Sequence, residues 1–247
     1  MIRNNIVLSK RLLMSAGMVT KGNRLADVGC DHAHTCIYLV KEGIVPNAIA
    51  MDVRKGPLSH ADANIRLYGF EDRIETRLSD GLEALLPGEA DTVIIAGMGG
   101  TLTVMILEKG IEKAAAAKEL ILQPQSDIGM VRRFLRDNGF KIVQEEMCIE
   151  DGKFYNSMKV VTSASFSLPS EVREEPSDMS EVYDEFGEFL LKNNNEVLRE
   201  YLKVMEKKTE RVLERILNEG SEGSLEKREF FEHYKILVEK AKGFYSI

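Results

Sequence analysis

The chain contains no tryptophan, six prolines, three cysteines and four histidines in 247 residues, and each scarcity removes a class of explanation. Cys30, Cys36 and Cys148 are an odd number without metal spacing. That excludes a disulfide framework and suits a reducing, cytoplasmic setting. His32 and His34 lack the second Cys/His cluster that a zinc site needs, so no metal is expected. No apolar run is long enough to span a membrane. The rather apolar stretch Met1–Thr20 is interrupted by Lys10 and Arg11 and precedes no small-residue cleavage site, so no secretory leader is expected. Positive charge is also short, with 33 Lys and Arg against 40 Asp and Glu. The acidic excess falls mostly in residues 161–247, which carry 13 cations and 19 acids, so a basic face on the first part stays open. There is no Gly-x-Gly-x-x-Gly turn, which argues against a nicotinamide dehydrogenase.

What is present is alternation. Apolar runs bounded by turn signals lie at Arg24–Val28, Ala48–Asp52, Ile74–Leu78, Thr92–Ala96 and Leu120–Gln123. Helix-length segments near Ala33–Glu42, Pro57–Tyr68, Gly100–Ala117 and Ile128–Asn138 separate them. Pro57 suits a first helical position, and Gly69 and Gly139 suit helix stops. Two further strand runs, Phe140–Ile149 and Phe154–Thr162, have only Glu150-Asp151-Gly152-Lys153 between them, a tight hairpin signal. The expected fold is therefore α/β and Rossmann-like, of the methyltransferase variant: a mostly parallel seven-stranded sheet whose last strand is antiparallel. Ser163–Pro176 reads as a linker. Beyond it, Asp178–Asn218 and Leu225–Lys242 carry apolar residues at helical spacing, which predicts a coiled-coil-like helical hairpin. The expected domains are 1–164, methyltransferase, and 165–247, helical.

Two strand-ending loops carry the chemistry: Asp27-Val28-Gly29-Cys30-Asp31-His32 and Ala96-Gly97-Met98-Gly99-Gly100. In an open parallel sheet such loops line the crevice where ligands bind. Asp27 and Asp31 would repel a diphosphate and favour a ligand with positive charge, such as the sulfonium and ammonium of S-adenosylmethionine. Gly29 lets the backbone approach the methionine moiety, and Asp27 meets its ammonium. Asp52, ending the second run, suits the ribose hydroxyls, with Met51 and Val53 sandwiching the adenine. Asp80 and the Gly81 amide suit the adenine edge after the third run. Ala96 and Gly97 complete the cofactor set. Gly97, Met98, Gly99 and Gly100 form a turn facing the transferable methyl, where a flat acceptor base can meet the backbone. Asp31 is expected to cap the following helix, and His32 to border the pocket against cofactor or target base. Cations available for a phosphate backbone are Arg3, Lys10, Arg11, Arg54, Lys55, Arg132, Arg133 and Arg136.

The segments Leu25-Ala26-Asp27-Val28-Gly29-Cys30-Asp31-His32-Ala33, Gly56-Pro57, Ile95-Ala96-Gly97-Met98-Gly99-Gly100, Leu122-Gln123-Pro124 and Gly152-Lys153-Phe154-Tyr155 together resemble the bacterial tRNA adenine-22 N1-methyltransferase family. The resemblance covers essentially the whole chain. It implies methylation of N1 of an adenine in the D-arm region of tRNA, with S-adenosylmethionine as donor and S-adenosylhomocysteine as product. It also implies a tRNA partner, and the chain is expected to act as a monomer or weak homodimer, away from membranes. His34-Thr35-Cys36 stands where members commonly have Tyr-Leu-Pro, Asp52 where Glu is frequent, and Asp80 where some carry Asn. Alternatives are another RNA or small-molecule methyltransferase on the same fold, or a non-catalytic RNA-binding scaffold.

Overall fold

The computed structural model describes residues 6–162, 179–219 and 224–245. The chain divides into two compact units, Met1–Val172 and Arg173–Ile247. The linker expected at Ser163–Pro176, with the expected boundary at 164/165, lies outside the described residues, as does Arg3.

The first unit is built on β1 (Leu25–Val28), β2 (Ala48–Asp52), β3 (Ile74–Leu78), β4 (Thr92–Met98), β5 (Glu119–Pro124), β6 (Lys141–Glu150) and β7 (Lys153–Val161). They form one sheet in the order β3-β2-β1-β4-β5-β7-β6. β1 to β5 pair in parallel, and β7 runs antiparallel to both β5 and β6. The order reverses at β1 and β4, where a doubly wound sheet opens its binding crevice. Consecutive apolar residues in the central strands serve opposite faces. Ile94 and Ile121 join one buried cluster with Leu25 and Ile37, whereas Ile95 and Leu122 join another with Val28 and Leu107. Such strands, covered on both sides, read as unbroken hydrophobic runs. The β6–β7 turn has Asp151 at φ 49° and Gly152 at φ 72°, the double left-handed geometry that Asp-Gly provides.

The helices are α1 (Lys10–Ala16), α2 (His34–Lys41), α3 (Lys55–Tyr68), α4 (Gly100–Lys109), α5 (Ile111–Ala116) and α6 (Ile128–Asp137). Three differ from expectation. The helix expected to open on Pro57 starts two residues earlier, at Lys55, with Arg54 as its N-cap. The single helix expected over Gly100–Ala117 is broken at Gly110. There a Cβ would stand 2.7 Å from Leu82 Cβ, so the backbone has come in too close for any side chain. The cap expected from Asp31 is absent: the N-cap of α2 is Ala33, left-handed at φ 57°, with no side-chain cap bond.

In the second unit the hairpin is made by α9 (Glu196–Glu219) and α10 (Ser224–Lys242), tied by Lys242 Nζ to Glu206 Oε1. The segment read as its first helix is in fact interrupted. α7 (Ser180–Phe186) and α8 (Glu188–Lys192) meet at Gly187, φ 87°, and an Asn193-Asn194-Asn195 break precedes α9. Asn195 Oδ1 accepts from the amides of Val197 and Leu198, each at 3.0 Å, which caps α9.

One expected RNA contact is corrected by the packing. Arg132 lies on α6, 5% exposed, with its Nε 2.8 Å from Glu145 Oε1, itself 1% exposed. It is a structural ion pair beneath the surface. Removing one partner strands the other charge in a low-dielectric interior. Arg132→Ala should cost about 3–5 kcal/mol in denaturant unfolding, whereas the double change to Met at 132 and Leu at 145 should recover most of that loss.

Candidate functional site

The carboxyl ends of β1, β2 and β4 converge on one rim. Asp27, next to last in β1, lies between Ala50 and Ile94 and is only 4% exposed. Cys36 Sγ donates to its Oδ2 at 3.6 Å. Burial, with Asp52 adding repulsion, pushes the Asp27 carboxyl up to about 7. Burial and the neighbouring Asp27 likewise raise the Cys36 thiol. Burial and the nearby acids raise the buried Cys30 thiol as well, so both thiols are packing groups and not nucleophiles. Asp52 is 5% exposed, and its Oδ1 accepts from the Arg54 amide at 2.9 Å.

The two glycine-bearing loops touch. Gly29 has φ 74°, and a Cβ there would fall 2.2 Å from Met98 Cε, so the methionine occupies the space a side chain would need. Its amide and that of Cys30 both bond Met51 O, at 2.8 and 2.9 Å, which pins the first loop over β2. The second loop differs from the expected turn. β4 continues through Gly97 and Met98, with an irregularity against β5 between Ala96 and Met98. Only Gly99 lies between strand and helix. A Cβ on Gly100 would sit 2.4 Å from the Ser126 carbonyl oxygen, which accepts from the Gly100 amide at 2.9 Å. The residues after β5 thus form a third wall, Gln125 donating its amide to Met98 O at 2.8 Å.

At the other end, Val53, Leu78, Ser79, Asp80, Glu83 and Ala84 line a cavity of about 400 Å³. Asp80 is half exposed there, and Lys109 Nζ approaches its Oδ2 at 3.4 Å. Gly81 is left-handed at φ 57° and closes against Ile106. Asp31 is exposed, 3.7 Å from His32 Nε2. His32 stacks between His34 and His60, with ring centroids 5.5 and 5.3 Å away. Burial and His32 lower the pKa of His34.

Of the expected cations, Arg54 is exposed and 3.7 Å from Asp52, and Lys55 opens α3 at the surface. Arg133 lies on the same helix as the buried Arg132. Lys10 and Arg11 are tied to the β6–β7 hairpin instead of standing free. The Lys10 amide donates to Glu150 Oε1, its Nζ to Ile149 O at 3.1 Å, and Arg11 Nε is 3.9 Å from Glu150 Oε2. Arg11 Nη1 donates to Gln123 Oε1 at 3.2 Å, and that oxygen also accepts from the Gly97 amide at 3.0 Å. Gln123, Ser126 and His60 also stand at this rim, with no role legible from their sequence positions. The motif Leu122-Gln123-Pro124 was the available signal for the first.

The donor set tests the expected cofactor. A buried carboxylate suits an ammonium, a second acid one strand over suits hydroxyls, and an open cavity beyond Val53 suits a flat ring. The residues fit S-adenosylmethionine.

Comparisons with known proteins agree in direction. Residues 8–158 match a family described as a methyltransferase domain. Over 152 residues the chain is 38% identical to the tRNA (adenine(22)-N(1))-methyltransferase of Bacillus subtilis (strain 168); the match spans 62% of this chain and 64% of that relative, a little under two thirds of its length. The crystal structure of the B. subtilis M1A22 tRNA methyltransferase TrmK covers 96% of this chain and 99% of its own, at 29% identity and TM-score 0.82. Sp1610 of Streptococcus pneumoniae, solved in complex with S-adenosyl-L-methionine, covers 95% of this chain and 99% of its own, at 33% identity and TM-score 0.77.

The raised Asp27 carboxyl has a consequence for stability. Its folded pKa of about 7 exceeds the unfolded value, so the folded chain holds the extra proton between the two. The contribution is complete below the unfolded pKa and is lost as pH rises through about 7. Asp27→Asn, neutral throughout, should gain Tm relative to wild type on going from pH 5 to pH 8 in thermal unfolding without ligand. A constant difference across that range would show that the carboxyl titrates normally.

Proposed function

The chain belongs to the tRNA (adenine-22-N1)-methyltransferase family, and on that footing we propose that it methylates N1 of adenine 22 in tRNA, using S-adenosylmethionine and releasing S-adenosylhomocysteine. The observation that carries this reading is the pair of buried acids, Asp27 and Asp52, at neighbouring strand ends, beside the contact of Gly29 with Met98. The name of the B. subtilis relative supports the acceptor.

When bound, the donor supplies a methyl group activated by its sulfonium. The residues of the chain bind, orient and exclude water. Asp27 pairs with the ammonium, Gly29 gives its backbone to the methionine chain, and Asp52 accepts from the ribose. Val53, Asp80 and Gly81 take the adenine, with Asp31 and His32 at the mouth. Ala96, Gly97, Met98, Gly99 and Gly100 form the wall against which the acceptor base lies. Neutral adenine N1 carries its own lone pair, so no side chain has to remove a proton; apposition and desolvation supply the rate. Because N1 is on the pairing edge, the base is unpaired and turned out of its stack. The phosphates are met by Lys10, Arg11, Arg54, Lys55 and Arg133, and the helical unit adds to the grip. The protein acts in the cytoplasm, as a monomer or weak homodimer.

Incubation with the methyl donor and unmodified tRNA, followed by nucleoside mass spectrometry, should yield 1-methyladenosine, and tRNA with guanine at position 22 should yield none. A chain that binds the donor but modifies neither tRNA nor that position would overturn the assignment. In calorimetry, Asp27→Ala should weaken donor binding at least about tenfold. Wild-type affinity should fall as pH drops below about 7, because the protonated carboxyl no longer attracts the ammonium.

A further inference from the structure

His32 is the middle ring of a column, and the proposed reaction uses neither of its neighbours. His34, which opens α2, lies 5.5 Å from it with 25° between the ring planes, and His60, in α3, lies 5.3 Å away at 11°. Near-parallel rings at such separations overlap by their faces. Exclusion from water does not explain the arrangement, because His34 and His60 are exposed and His32 is half-buried. Nor do the two helices need it. Ile37 of α2 and Leu58, Ala61 and Ile65 of α3 already join one buried cluster.

Asn64, one turn beyond His60 on α3, fastens the column to the loop after β1. Its Nδ2 donates to His32 O at 3.0 Å and lies 3.5 Å from His34 Nε2. Partial burial and His32 lower the pKa of His34, so this ring is uncharged at neutral pH and offers a π face, not a point charge. Arg54 and Lys55, both exposed, stand at the start of the same α3. Cations for the backbone beside aromatic faces for the bases are the combination that grips single-stranded nucleic acid. Exposed end rings with polar edges also suit a flat, polar guest, whereas an aliphatic partner would strand the ring nitrogens.

We propose that the His34–His32–His60 column is a stacking platform for an unpaired base of the RNA substrate. The inference rests on the substrate proposed above and deepens it. A target adenine that leaves its stack deprives the neighbouring bases of a partner. The column stands on the loop that meets Met98 of the acceptor wall through Gly29, and it supplies a replacement face there. His34 and His60 are thus binding residues and take no part in the chemistry. The rival occupant is a phosphate of the same RNA, held by the ring nitrogens.

The test measures binding of unmodified tRNA across a salt series for wild type, His60→Ala, His34→Ala/His60→Ala and His34→Phe/His60→Phe, with S-adenosylhomocysteine affinity as the check on the fold. The double alanine change should weaken tRNA binding about 5- to 100-fold, the worth of one base on an aromatic face. His60→Ala alone, at an exposed helical position, should show part of that loss. The salt slope should stay constant, because a stacked base releases no counterions. His34→Phe/His60→Phe should keep wild-type affinity, and S-adenosylhomocysteine should bind all four proteins alike. If His34→Phe/His60→Phe loses as much as the double alanine change, or the slope grows shallower, the rings meet a phosphate and the proposal fails. Equal tRNA binding by all four proteins refutes it too. So does a loss of S-adenosylhomocysteine affinity with tRNA binding kept, which would put the column in the cofactor site. A wild type that binds no tRNA overturns the proposed function itself, a separable result because it appears before any variant is compared.

Discussion

A carboxylate buried at the end of β1 is the constraint from which the rest of the site follows. Asp27 sits among apolar strands with the weak Cys36 thiol as a donor, and its ionised form is disfavoured there. An ionised acid in such a place is costly until a cation arrives to share it. The fold thus keeps an energetic deficit at this strand end, the place that the proposed function assigns to the donor's ammonium. Asp52 one strand away deepens the deficit by repulsion.

Around that carboxylate the walls are defined by how closely backbones approach. Met98 fills the space beside Gly29, and the Ser126 carbonyl fills the space beside Gly100. The loops after β1, β4 and β5 therefore interlock, and a Cβ at either glycine would force one of them to move. This is why the glycines matter individually. Gly29 serves as a seat for another strand's side chain, while Gly100 lets a helix begin against a neighbouring loop.

The sheet was legible because its strands obey simple rules. Apolar runs mark β1, β4 and β5, the first interrupted by Asp27, and Asp151-Gly152 marks the turn between β6 and β7. The acids at the strand ends were legible too, since their order along the chain follows the order of the fold. What escaped was whatever depends on a partner distant in sequence. Arg132 reads as a surface cation until Glu145 folds over it. Gly110 reads as a tolerable residue inside a helix until Leu82 crowds it. Asp31 reads as a cap, but Ala33 adopts the left-handed turn that starts α2 without one. In the second unit, Gly187 and the asparagines before α9 interrupt an apolar spacing that looked continuous. Arg11 reads as one of several surface cations, and only the fold lays it against Gly97 and Gln123.

The attachment of α1 to the last hairpin bears on the order in which the molecule is made. Lys10 bonds Glu150 and Ile149, Ser15 lies 3.0 Å from Ser157, and Lys159 Nζ donates to Met18 O, each across about 140 residues of chain. On the ribosome, the first helix to emerge has no docking place until β6 and β7 have followed it out. The crevice can form its floor during synthesis, but the flank that carries Arg11 closes only when the final strands arrive. Completion of the first unit is thereby tied to its final strands, and a nascent fragment ending before the hairpin would leave the first helix without the partners that dock it.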